Sequence, residues 1–284
     1  MPDLRTVLDD RGHSLSASRI GARDRSLLKP TDSVPPSWRK TGELLGGGRD
    51  GLRVSTRRTV VVLSLCTREK GRLLVPGLSV AAFVSGAFCI RGKYSDSKIL
   101  IYVFKPLTTL LVLGVAVAAG AFATTYGRLV ALSIVFSLAG DIFLMLPKDR
   151  FINGLLSFLV AHVVLIVAFA LQATGLSWWL LLPVAAGIGM YSALAPHLGR
   201  MKIPVVVYIT VIAAMAWFAL ERWHLQGSTS AALAALGSVL FLYSDSTLAL
   251  NRFRAKFRLA EFLVLSTYYA SIWLTALSVH RGWM

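Results

Sequence analysis

Two stretches decide the fold, LVALSIVFSLAGDIFLMLP (129–147) and ALAALGSVLFLYSDSTLAL (232–250). Each is close to the roughly 20 apolar residues that a helix needs to cross a bilayer. Each also carries one acidic residue, Asp141 in the first and Asp245 in the second. A carboxylate inside the membrane costs about 2.5–3.5 kcal/mol on insertion scales and therefore marks a functional site. The pair predicts acid/base chemistry or ion movement within a membrane protein.

The composition indicates a polytopic membrane protein, because 55% of the 284 residues are hydrophobic and the mean hydropathy is +0.65. The net charge is +16, and residues 1–72 hold 15 of the 30 Lys and Arg residues. The others lie mostly in short loops, as the positive-inside rule requires, so we exclude nucleic acid as a partner. Cys66 and Cys89 have no metal-type or disulfide-type spacing, and no metal or other cofactor is expected.

The chain divides into a basic, largely disordered N-terminal tail (1–72) and an integral membrane catalytic bundle (73–284). The tail is rich in Arg, Ser and Gly and has no sustained apolar period. The bundle contains eight apolar segments, at 73–90, 99–120, 128–147, 151–173, 177–195, 203–221, 230–250 and 259–280. The predicted fold class is all-α, a polytopic bundle of about eight transmembrane helices. It is expected in the inner (plasma) membrane if the source is bacterial.

The loops predict the topology. Those after the first, third, fifth and seventh segments carry eleven Lys or Arg residues, whereas the opposite face has only Arg128, Arg222 and Arg281. The basic loops are therefore expected in the cytoplasm. This places both termini outside, which conflicts with the basic tail unless the first segment does not span or the tail is removed. We base the predicted topology on the loops and not on the tail.

Depth along the helices brings a set of polar residues together. Asp141 lies six residues before Pro147 and Asp245 six before Asn251, so each is about 9 Å inside the same face. Lys105 is at similar depth, and the sequence predicts a polar pocket opening toward the basic face. The candidate catalytic residues are Asp141 and Asp245, with supporting or substrate-binding candidates Lys105, Ser137, His162, Ser244 and Tyr268.

Plainer roles exist for the supporting residues. Lys105 can extend its ammonium group to the interface or form a structural ion pair with either aspartate. His162 can be a packing residue. Ser137 and Ser244 can bond to the backbone of their own helices.

A shift of 104 residues places Asp141 on Asp245, Leu138 on Leu242 and Lys148 on Arg252. This pattern indicates two parallel halves of four helices each.

These residues resemble the YhhN family of membrane lysoplasmalogenases. The resemblance covers about 73–284. It rests on five motifs, which are Lys105-Pro106, SLAGD (137–141), F-x2-G-x3-F-x3-H (Phe151 to His162), G-x3-F-x2-SDS-x-LA (Gly237 to Ala249) and Tyr268-Tyr269. Ile272 stands where the family pattern has glutamine, and the tail is not a family feature.

The resemblance implies hydrolysis of the vinyl-ether bond of a lysophospholipid substrate, with other lipids of the membrane around it. An enol ether is cleaved by protonation of its β-carbon, after which water captures the cation. Two buried carboxyl groups at one depth suit this chemistry, one as the acid and one as the carboxylate. The alternatives are a proton-coupled transporter or lipid flippase that uses the same Asp pair, and a metal-dependent membrane amidase. The sequence does not indicate the oligomeric state.

Overall fold

The computed structural model describes residues 74–146, 150–173, 175 and 177–280. Within these ranges the chain forms eight helices long and apolar enough to cross a membrane. They are α1 (Leu74–Tyr94), α2 (Lys98–Ala118), α3 (Thr125–Met145), α4 (Phe151–Ala170), α5 (Leu181–Leu194), α6 (Lys202–Gln226), α7 (Thr229–Ala249) and α8 (Ala260–Leu277). Short 3₁₀ turns extend α5 to a span of Trp178–His197. The protein is a multi-pass integral membrane protein, and the predicted fold class is confirmed. The tail predicted for 1–72 lies outside the described residues.

Local chemistry sets several helix ends. The side chain of Thr124 accepts a hydrogen bond from the N–H of Gly127 and caps the start of α3, and Ser228 does the same for Ala231 at the start of α7. Such caps satisfy N–H groups that have no partner inside the helix. α6 ends at Gly227, whose φ of 59° lies in the left-handed region that glycine adopts readily.

The helix positions repeat along the chain. The starts of α2 at Lys98 and of α3 at Thr125 recur 104 residues later as the starts of α6 at Lys202 and of α7 at Thr229. The fourth pair departs from this spacing, because α8 begins at Ala260 after a longer connection that includes a π-helical turn, Leu250–Arg254. The helix bounds thus follow the two-half pattern, and the extra residues lie in one connection.

Small residues allow the most closely packed helix pairs, α3 with α4 and α7 with α8. A Cβ atom at Gly140 would come within 2.7 Å of the Phe158 ring, and one at Gly237 within 2.6 Å of Thr275 Oγ1. Close backbone approach at small residues is the usual way that membrane helices associate. The glycines of the SLAGD and G-x3-F motifs therefore shape the bundle around the aspartates beside them.

Two charged residues differ from the sequence-based expectation. Glu221 and Arg222 were expected at or near a helix end on the less basic face, but both are buried within α6, which continues to Gln226. Arg222 donates from Nη2 to Ser230 Oγ at 2.8 Å, and its guanidinium group lies 4.3 Å from the centre of the Tyr126 ring. Arg222 is therefore a core residue and not a loop residue, and it does not count toward the basic residues of that face.

Candidate functional site

Both aspartates line one cavity of about 370 Å³, called here the polar cavity. Asp141 comes from α3 and Asp245 from α7. Lys105 of α2 and Tyr268 of α8 line the same cavity. The remaining lining residues are Lys93, Leu144, Phe151, Phe158, Ser244, Leu248, Asn251, Arg252, Lys256, Glu261, Val264 and Leu265. The charged residues among these lie at the ends of the helices, so the polar cavity extends from the aspartates toward the basic loops.

Asp141 is almost completely buried and is held by side chains from two other helices, α2 and α8. Its Oδ2 accepts hydrogen bonds from Thr109 Oγ1 at 2.6 Å and from the Tyr268 hydroxyl at 2.8 Å. Lys105 Nζ lies 3.4 Å from its Oδ1. A buried charge needs both an opposite charge and hydrogen bonds to offset its desolvation. Asp141 has both, so this environment suits a carboxylate that remains ionised.

Asp245 has a different environment. Its Oδ2 accepts a hydrogen bond from the Tyr208 hydroxyl, and His162 Nε2 lies 3.9 Å from the same oxygen. Within the described ranges, no Lys or Arg nitrogen lies at ion-pair distance from Asp245. The two carboxyl groups therefore share a cavity but have unlike partners, which is the condition for separate acid and base roles.

The partners follow the two halves of the chain. Asp141 takes Lys105 and Thr109 from the second helix of its own half and Tyr268 from the fourth helix of the other half. Asp245 takes Tyr208 from the second helix of its own half and His162 from the fourth helix of the other half. Each carboxyl group thus joins the two halves.

The other predicted site residues lie nearby in different settings. Ser137 is buried one turn before Asp141 on α3 and is not among the residues that line the polar cavity. Ser244 lines the polar cavity and donates from Oγ to the backbone oxygen of Val264 at 3.0 Å, which ties α7 to α8. Lys105 is buried beside Asp141 and does not extend to the interface.

His162 is fully buried between the rings of Tyr208 and Phe241, with centroid distances of 5.5 and 4.6 Å. In the described part of the chain, neither ring nitrogen of His162 has a hydrogen-bond partner. The imidazole thus packs beside Asp245 within an aromatic cluster, and it is not among the residues that line the polar cavity.

Sequence reasoning missed Thr109 and left Tyr208 outside the site. Tyr208 carries a signal in the sequence, because it lies six residues after Lys202 at the basic end of its segment, a depth similar to that of the aspartates. Thr109 carried none, since threonine in an apolar helix commonly bonds to its own backbone. Its neighbour Thr108 does so, donating to the Phe104 oxygen at 2.7 Å.

A second cavity, called here the apolar cavity, runs beside the first between α4, α6 and α7. Its residues are Leu144, Phe151, Leu155, Phe158, Met190, Val205, Tyr208, Ile209, Ile212, Leu242, Asp245, Ser246, Leu248, Ala249 and Phe253. Asp245, Phe151 and Phe158 line both cavities. One carboxyl group is thus accessible from a polar side and from a hydrocarbon-like side.

In the part of the chain that the structure describes, no three His, Cys, Asp or Glu side chains lie close enough together to hold a metal ion. The functional groups gathered around the two aspartates are one ammonium group, hydroxyl groups and one imidazole.

Comparison with known proteins places this arrangement in a family. The family model described as the YhhN family matches residues 100–279. The chain is 36% identical over 150 residues to lysoplasmalogenase TMEM86A of Bos taurus, covering 51% of this chain and 62% of that protein. It is 36% identical over 180 residues to lysoplasmalogenase TMEM86B of Mus musculus, covering 63% of this chain and 74% of that protein.

A bacterial relative is covered almost completely. The uncharacterized membrane protein YhhN of Escherichia coli O157:H7 is 28% identical over 204 residues, which is 71% of this chain and 97% of that protein. No solved structure matches the chain. The match to the family model spans more than half of the chain and includes the helices that carry both aspartates, and the chain belongs to the YhhN family.

Proposed function

We propose that this protein is a lysoplasmalogenase, which hydrolyses the vinyl-ether bond of a lysophospholipid to a fatty aldehyde and a glycerophospho-base. The observation that carries the proposal is the pair of carboxyl groups on one cavity, one beside an ammonium group and one beside neutral groups. The names of the relatives TMEM86A and TMEM86B support the same activity.

In the first step, protonated Asp245 donates its proton to the β-carbon of the vinyl ether. The C=C π bond supplies the electron pair for the new C–H bond, and the α-carbon becomes an oxocarbenium ion. Asp141 is ionised and held by Lys105, so its negative charge stabilises this cation. Electrostatic groups fixed in advance are commonly the largest contribution to catalysis in a buried site.

In the second step, water adds to the α-carbon while Asp141 accepts one of its protons, which gives a hemiacetal. In the third step, Asp245 accepts the hemiacetal hydroxyl proton and the C–O bond to glycerol breaks. Asp141 returns its proton to the leaving glycerol oxygen. One water is consumed, the products are an aldehyde and an alcohol, and both carboxyl groups regain their starting states.

The two cavities fit the two ends of such a substrate. The apolar cavity provides Leu, Ile, Met and Phe side chains for the alkenyl chain, whereas the polar cavity opens toward basic loops. Asp245 lies where the two meet, so a lipid that occupies both has its ether linkage beside the carboxyl groups.

The decisive experiment measures fatty aldehyde release by the purified protein from a 1-alkenyl lysophospholipid. Asp141→Asn and Asp245→Asn each keep the volume of the side chain but cannot exchange the proton. General acid–base catalysis contributes about 10²–10⁴-fold, so each variant should lose at least that factor. Near-normal aldehyde release by either correctly inserted variant would refute the proposed roles.

A transporter or flippase that uses the same aspartates is the second candidate. It predicts proton-coupled lipid movement in proteoliposomes without aldehyde release by the wild-type protein, so the same assay separates the two.

A further inference from the structure

The entrance of the polar cavity carries charged side chains that the proposed chemistry does not use. Lys93 comes from the end of α1, Arg252 from the π-helical turn after α7, and Lys256 from the connection to α8. Asn251 and Glu261 complete this group, called here the rim. We propose that the rim binds the phosphate group of the substrate, with Arg252 and Lys256 as its main ligands. The inference rests on the proposed function and assigns the phosphate end of that substrate to a site.

The rim has an ordered construction. Asn251 Oδ1 accepts a hydrogen bond from the N–H of Phe257 at 3.3 Å, which closes the loop that carries Arg252 and Lys256. The Arg252 guanidinium group lies 5.0 Å from the centre of the Phe151 ring, within the range of a cation–π contact. The Tyr94 hydroxyl donates to the Arg258 oxygen at 2.9 Å and ties the same loop to the end of α1. Two cations from one loop are therefore held at the opening of one cavity.

The cationic side chains of the polar cavity are of the kinds that bind phosphate. Its lining contains four cationic side chains, of which Lys105 pairs with Asp141 and Lys93 lies 3.3 Å from Glu261. Guanidinium and ammonium groups are the usual ligands of a lipid phosphate in proteins.

Distance supports the same assignment. Asn251 follows Asp245 by six residues, which corresponds to about 9 Å along a helix axis. In a lysophospholipid the glycerol unit separates the ether oxygen from the phosphate. A substrate whose vinyl ether lies beside Asp245 therefore extends its phosphate toward the rim and not into the apolar cavity.

The rim also lies where the two halves of the chain differ. The connection from α3 to α4 runs from Met145 to Phe151, whereas the one from α7 to α8 runs from Ala249 to Ala260. The additional residues in the second half form the π-helical turn and the loop with Lys256. Such π-helical turns are frequent at functional sites. The positive-inside rule explains basic residues in this loop, but it does not require that they line a cavity shared with two carboxyl groups.

The test compares a 1-alkenyl lysophospholipid with a 1-alkenylglycerol of the same chain, which has the vinyl ether but no phosphate. Assays in a neutral detergent without phosphate leave the substrate as the only lipid phosphate present. Hydrogen bonds to charged groups contribute about 1.5–3 kcal/mol, so wild-type kcat/KM should be about 10–100-fold higher for the phosphate-bearing substrate. In the double variant Arg252→Gln/Lys256→Gln this ratio should fall toward one, through a higher KM for the lysophospholipid.

Arg254→Gln is the matched control, because Arg254 lies on the same π-helical turn but does not line the polar cavity. It should leave the substrate ratio unchanged. As a second arm, glycerol 3-phosphate should inhibit the wild-type protein more strongly than the double variant, which tests binding of a free phosphate group.

Three results would overturn the inference. The first is a substrate ratio of kcat/KM that remains high in the double variant. The second is a ratio that falls equally in Arg254→Gln. The third is a wild-type protein that cleaves both substrates equally well. Failure of the proposed function gives a different result, since the wild-type protein then releases aldehyde from neither substrate.

Discussion

Ile209 stands in the second half of the chain at the position that Lys105 holds in the first half, 104 residues earlier. Lys105 lies 3.4 Å from Asp141, whereas Ile209 lines the apolar cavity together with Asp245. Both lie on the second helix of their halves. A two-half scaffold would give two equivalent carboxyl groups, and the exchange of Lys105 for Ile209 places a cation beside one of them and hydrocarbon near the other.

The first prediction concerns Lys105. Lys105→Ile introduces the residue found at the equivalent position and removes the cation from Asp141. Loss of a fixed electrostatic partner should lower aldehyde release by about 10²-fold. In a double-mutant cycle with Asp141→Asn, the second substitution should cost little more than the first, because both remove the same interaction. Independent, multiplicative losses would show that Lys105 acts elsewhere.

The second prediction concerns the hydroxyl donors. Tyr208→Phe removes the hydrogen bond to Asp245, and Tyr268→Phe removes one of those to Asp141. Each bond to a carboxyl group is worth about 1.5–3 kcal/mol, so kcat should fall about 10–100-fold in each variant. Tyr243→Phe on α7 is the control, since its side chain is largely exposed. Activity losses of the same size in all three variants would contradict the assignment.

Much of this site could be predicted from helix length and depth. The rise per residue is fixed, so the equal distance of Asp141 and Asp245 from the ends of their segments predicted a common layer. The same argument predicted that Lys105 lies in this layer. The choice of partners did not follow, because a helix can rotate about its axis without changing the depth of any residue.

The two adjacent threonines of α2 show this limit. Thr108 bonds to its own helix backbone, whereas Thr109 donates to Asp141 at 2.6 Å. Both are threonines, and they lie at almost the same depth in the bundle. Only the rotation of α2 against α3 determines which of them reaches the carboxyl group. Arg222 shows a similar limit, since its burial depends on Tyr126 and Ser230 from two other helices.

The third prediction concerns packing. Gly140→Ala places a methyl group within 2.7 Å of the Phe158 ring, which also lines both cavities. Overpacking of this kind costs about 1–3 kcal/mol, so the melting temperature in detergent should fall. Gly189→Ala on α5 is the matched control, because a Cβ there would have no atom within 4 Å. Equal melting temperatures for the two variants would show that α3 and α4 can separate without cost.

The fourth prediction concerns topology. The basic loops should be cytoplasmic because they carry the large majority of loop Lys and Arg residues. Single cysteines replacing Arg150 or Arg254 should resist an impermeant maleimide in intact cells and react after permeabilisation. A cysteine replacing the exposed Phe122, between α2 and α3, should react in intact cells. The reverse pattern would place the polar cavity on the other side of the membrane.

The fifth prediction concerns His162, whose two ring nitrogens lack hydrogen-bond partners in the described part of the chain. An unsatisfied buried polar group costs about 1–3 kcal/mol, and His162→Phe removes that cost while keeping aromatic packing against Tyr208 and Phe241. The variant should therefore melt at a higher temperature. It should also release aldehyde more slowly, because the imidazole Nε2 lies 3.9 Å from Asp245 Oδ2. Opposite changes of stability and activity are expected where a residue is kept for function.

The control is His224→Phe, because His224 is exposed and lies in the last turn of α6. This substitution should change neither quantity. A His162→Phe protein that is both less stable and fully active would identify the imidazole as a packing residue, and Asp245 would then depend on Tyr208 alone for its orientation.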